Sequence, residues 1–125
     1  MTDAEIRLAI PAQSRFLRIV RLTAAGIAGD LGFSLQDIED LRLAIDEMSA
    51  VLIDGVGPTV ELELVYRIDG DELRIEGRCA HVGALAELHP VARELLSMTA
   101  DDYAVEDASD GRRFRLVKRR TSSQD

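Results

Sequence analysis

An α+β fold class, a two-layer α/β sandwich with helices on one face of a mainly antiparallel sheet, is what this 125-residue sequence predicts. Three observations carry that reading. Short segments alternate apolar and polar residues at the period of a strand. Longer segments repeat apolar residues at the period of a helix. Turn residues divide the two kinds in the order β-α-α-β-β-α-β-β.

Glu5 to Ile10 alternates before Pro11 and predicts a half-buried strand stopped by the proline. From Ala12 to about Asp30, the residues Phe16, Leu17, Val20, Ala24 and Ile27 share one helical face, and Gly32 offers a C-terminal glycine. Ser34 followed by Asp37 resembles a capping box and opens a longer second helix that closes at Asp54-Gly55. Thr59 to Ile68 alternates again, with Val60, Leu62, Leu64 and Tyr66 in phase. Asp69-Gly70-Asp71 is a tight hairpin signal, and Glu72 to Cys79 returns with Leu73, Ile75 and Gly77 in phase. Ala80 to His89 is a loop without periodicity. Pro90 suits the first turn of a third helix that reaches Met98. Tyr103 to Glu106 and Arg113 to Val117 make a last hairpin around Ser109 to Gly111. One domain, 1–120, and a disordered tail, 121–125, complete the organisation.

The second helix holds the most informative stretch, residues 40–54. Leu41, Ile45, Met48 and Leu52 define one stripe, and Leu43, Glu47, Val51 and Asp54 a second. Apolar residues then cover more than half the circumference, which predicts a helix packed on most sides. Yet Asp46, Glu47 and Asp54 lie in its second half, where carboxylates oppose the helix dipole and burial without a partner is costly. A metal, a ligand, a basic side chain or water has to compensate, unless Glu47 sits at the solvated edge paired with an arginine.

Composition narrows the class of function. With 46% apolar and 30% charged residues the chain makes a core and is not globally disordered, and with aromatics at 4% that core is aliphatic. No run approaches the ~20 apolar residues of a membrane span. The acidic start Met1 to Glu5 lacks the pattern of a secretory signal, and the single Cys79 forms no internal disulfide, so a cytoplasmic protein is expected. No set of Cys and His has zinc spacing, and no metal site is expected on that ground. A net charge of −8 argues against nucleic acid and for a basic protein partner. The one basic cluster, Lys118-Arg119-Arg120, reads as a solubilising strand end.

The element order, with Pro11-Ala12 leading to Val20-Arg21 and then Leu41-Arg42-Leu43-Ala44-Ile45-Asp46-Glu47, resembles the anti-sigma-factor serine kinases of the RsbW type. These belong to the GHKL superfamily of histidine-kinase-like ATPases, whose fold is the Bergerat fold, and the resemblance runs from about residue 5 to 119. It implies ATP and Mg²⁺ as cofactors, a homodimer, and a sigma factor or an anti-sigma antagonist as partner. The family's long helix carries Glu-x-x-x-Asn, an acid acting as general base and an amide that helps hold the metal. By that match Glu47 is the catalytic acid and Val51 stands in the Asn position, where it offers no oxygen to a hard cation. Asp54 is the nearest substitute on that face. The family's Asp-x-Gly-x-Gly, which holds adenine, falls on Ala80 to Leu85, with His81 in the Asp slot and only Gly83 matching. No glycine lies between Leu85 and Leu96 to form a lid over phosphates.

These departures imply a regulatory protein that binds a sigma factor or its antagonist, with nucleotide binding and kinase activity weak or lost. An active ATP-dependent serine kinase that phosphorylates an antagonist is the alternative. A sensor of a small molecule or metal, using Glu47, Asp54 and His81, is a third.

Overall fold

The structure, a computed structural model, describes residues 4–80 and 87–121. Strand β1 (Ala4–Pro11) leads through a 3₁₀ turn (Ser14–Phe16) into helix α1 (Leu17–Asp30) and then α2 (Leu35–Ile53). The hairpin β2 (Glu61–Asp69) and β3 (Glu72–Cys79) is followed by α3 (Pro90–Thr99) and the hairpin β4 (Asp102–Ala108) and β5 (Gly111–Arg119). The five strands form one sheet in the order β1-β2-β3-β5-β4, every neighbour antiparallel. The expected two-layer α+β sandwich is therefore the fold observed.

Local chemistry accounts for the boundaries. Pro11 does not stop β1 but ends it, opposite Glu61 on the outermost strand, a place where a missing N–H costs nothing to the ladder. The helix expected from Ala12 begins at Leu17, because the chain first makes the 3₁₀ turn. Gly32, at φ 80°, ends α1 in the left-handed conformation that glycine adopts without strain. Ser34 caps α2, its Oγ accepting from the Asp37 N–H at 3.1 Å. The Asp37 carboxylate serves elsewhere, accepting from the Thr121 N–H at 2.8 Å and the Thr121 hydroxyl at 2.6 Å. Thr121, where the tail was expected to begin, is thus tied to α2; residues 122–125 lie outside the described chain.

The apolar phases of β2, β3 and β5 are buried in the core. Leu62, Leu64 and Tyr66 of β2 align across the ladder with Cys79, Gly77 and Ile75 of β3, and Gly77, Ile75 and Cys79 align with Phe114, Leu116 and Arg112 of β5. Tyr66 is fully buried and its hydroxyl donates to the Val20 carbonyl at 3.1 Å, pinning sheet to α1. Burial pushes that phenol well above its ordinary range.

Helix α2 packs against α1, α3, β3 and β5, the central position its apolar stripe predicts. Leu41, Ile45, Met48 and Leu52 are each no more than 1% exposed. Burying such side chains stabilises by about 1.5–3 kcal/mol apiece before entropy is counted. The second stripe is less covered than expected: Leu43 is 40% exposed.

Candidate nucleotide-binding site

Glu47 and Val51 are both half-buried on α2, four residues apart and so one above the other. Neighbouring contacts orient that stripe. Arg21 of α1 donates to Asp46 at 2.8 Å, which assigns the flank bearing Asp46 to α1. Lys118 of β5 lies 3.7 Å from Asp40, and Asp40, Glu47 and Val51 follow one another on the other flank. The arginine expected for Glu47 thus pairs with the adjacent Asp46, and among the described residues Glu47 makes no ion pair.

Asp54 does not join them. It is the C-cap of α2, with extended backbone at φ −61° and ψ 123°, so the helical spacing that would align it with Glu47 has ended. Its side chain lines a shallow cavity of about 260 Å³ with Ala12, Ser14, Leu17, Ala50, Ile53 and Gly55, beside α1. Neither Glu47 nor Val51 lines that cavity. Asp54 therefore lies off the regular helical stripe of Glu47 and Val51. His81 and Gly83 lie outside the described residues.

The donor chemistry does not fit Mg²⁺. The ion takes near-octahedral oxygen ligands, and Val51 supplies none. Among the described residues no group of three His, Cys, Asp or Glu side chains is placed to hold a metal ion.

What the acid-bearing helix does receive is an arginine that the sequence reading missed. Arg112, only 4% exposed on β5, donates from one guanidinium nitrogen to the Leu52 carbonyl at 3.0 Å and the Asp54 carbonyl at 2.6 Å. No basic residue lies in the last turn of α2 itself, so β5 supplies the cation that the negative end of the helix dipole calls for. A hydrogen bond to a charged group contributes about 1.5–3 kcal/mol. Burial pushes the neighbouring Cys79 thiol above its ordinary range, with the Arg112 charge working against that shift. The signal was present in the strand period: Arg112 is in phase with Phe114 and Leu116, so a charge was due to enter the core.

The basic cluster is also spent internally. Lys118 is 8% exposed and lies 3.8 Å from Asp37, Arg119 donates to Glu72 at 2.9 Å, and Arg120 donates to the Leu31 carbonyl at 3.1 Å.

A five-stranded antiparallel sheet under three helices, with an acid on the central helix, defines the α+β sandwich fold class of this chain. Within that class the chain is similar to RsbW proteins. Serine-protein kinases RsbW of Bacillus cereus and Bacillus thuringiensis subsp. konkukian are 36% identical over 76 residues, covering 57% of this chain and 46% of theirs. The counterpart from Bacillus mycoides is 34% identical over the same span. The chain thus matches less than half the length of these relatives. The crystallised RsbU and RsbW domains of a Mycobacterium tuberculosis protein superimpose on 93% of this chain and 32% of that one, with a TM-score of 0.68 at 16% identity. No family model matches the sequence.

Proposed function

We propose that the chain is a regulatory domain of the anti-sigma type that binds a sigma factor or its antagonist and carries little or no nucleotide-dependent activity. The observation that carries this reading is the stripe on α2 where Glu47, the residue matched to the general base, stands over Val51, which offers no oxygen. Phosphoryl transfer depends on positioning and on neutralising phosphate charge with Mg²⁺. A helix that keeps the acid and lacks the metal ligand retains the scaffold without that neutralisation. A soluble cytoplasmic protein acting as a homodimer goes with this reading. The kinase alternative rests on one specific observation, the name serine-protein kinase carried by the matched relatives.

The partner would present a basic surface, which the charge of −8 favours through complementary fields. A pull-down from the native host at low salt, with no nucleotide added, is the test. Recovery of a sigma factor or an antagonist, with capture weakening as salt is raised, supports the reading, because the Debye length falls from about 10 Å at 0.1 M to about 3 Å at 1 M. Capture that requires added ATP would favour the kinase.

A further inference from the structure

Helix α2 ends on an acid that helix physics disfavours. Asp54, its C-cap, places a carboxylate at the negative end of the helix dipole, where an anion destabilises. Arg112 does not pair with that carboxylate, because its guanidinium is directed to the Leu52 and Asp54 carbonyls. Among the described residues the Asp54 carboxylate has no ion pair.

The acid stands at a cavity of about 260 Å³, between the turn that opens α1 and the last turns of α2. Ala12, Leu17, Ala50 and Ile53 make its walls apolar, and Ser14 adds a hydroxyl. Nothing lies within 4 Å of where a Cβ on Gly55 would stand, so among the described residues the mouth is open on that side. Clefts that enclose small-molecule ligands run from about 300 to 1,000 Å³, and this one is smaller and shallow. It suits one long side chain. Lysine and arginine lay an apolar stem along such walls and carry their charge at the tip. A stem over Leu17 and Ile53 brings a cation to Asp54, and a chain at −8 favours a partner that presents such residues.

We propose that this cavity is the anchor point for a protein partner, which inserts one lysine or arginine side chain between α1 and α2 and pairs its cation with Asp54. This rests on the reading above that the chain captures a basic protein, and it adds the place of contact. An anchor seated in a pocket and ringed by near-neutral contacts carries a large share of an interface's affinity. The acid is then kept for the partner, at a cost to the helix that bears it.

Two variants of the full chain test this, Asp54→Asn and Ala50→Leu. The second fills the cavity from an exposed position on α2 with a good helix former, and the near-isosteric first covers the case in which it does not fold. The probe is n-propylguanidinium, the arginine side chain without its backbone. In amide NMR spectra of the parent it should shift the signals of Ser14, Leu17, Ala50 and Gly55, saturating at millimolar concentration. Each variant should weaken that binding at least fivefold, and should weaken capture of a sigma factor or antagonist in the low-salt pull-down by as much. Asp54→Asn should also melt at a higher temperature than the parent, because the helix end loses an unfavourable charge. Capture by the folded variants equal to that of the parent, a probe that leaves the cavity signals unmoved, or a lower melting midpoint for Asp54→Asn would each overturn the anchor and leave the proposed function standing. A parent that captures neither partner would overturn both.

Discussion

Gly77 faces Phe114 across the β3–β5 ladder, and the ring lies where a methyl group on Gly77 would have to go. Gly77→Ala should therefore force the ring off its place and cost about 1–3 kcal/mol, the usual penalty of overpacking a core. A urea melt reads this directly, and an unchanged midpoint would mean that the ring moves freely. Asp37 carries the second prediction at this scale. Burial alone would raise its carboxyl, but the hydrogen bonds from Thr121, the charge of Lys118 and the bond with Ser34 outweigh it and hold the group below its ordinary range. A folded value below the unfolded one, about 3.9, means the contribution is complete above that pH and is lost as pH falls through the depressed value. Asp37→Asn should cost about 1–3 kcal/mol at neutral pH and flatten the loss of stability on acidification. Thermal melts stepped down through the carboxylate range check this; parallel curves for variant and parent would contradict it. Neither role shows in the sequence alone, because the ring over Gly77 and the tie from Thr121 to Asp37 are contacts between distant segments.

At the scale of elements, α2 was the most legible, since four large apolar residues at helical spacing, a serine cap and a closing glycine all agree. Its cap is testable: Ser34→Ala removes the acceptor for the Asp37 N–H and should lower the denaturation midpoint by about 1 kcal/mol of stability. A change within experimental error would show that the tie from Thr121 holds the turn unaided. The start of β5 was the least legible. Gly111 and Arg112 read as turn residues, so the strand was begun at Arg113 and the one buried arginine under α2 went unnoticed. The start of α1 was misplaced for a different reason: a 3₁₀ turn and an α-helix share apolar spacing over three or four residues.

For the whole molecule, the pattern of elements and the apolar phases foretold the sandwich, while the strand order, with β5 between β3 and β4, depends on long-range pairing that periodicity does not encode. The candidate site was legible as a helix bearing Glu47 over Val51, and its expected partner Asp54 was not, because a helix stripe cannot foresee that Asp54 leaves the helix as its cap. The same balance governs activity. Val51→Asn alone should not restore kinase activity, since the amide would return one oxygen to a sequence whose match to the family's adenine motif is limited to Gly83 and that has no glycine between Leu85 and Leu96 for a lid. The central claim, an RsbW-like fold that works without nucleotide, is tested most directly by calorimetric titration of ATP with Mg²⁺ into the parent chain. The expected result is no measurable binding heat at any concentration up to millimolar. Saturable, Mg²⁺-dependent binding in the micromolar range would contradict it.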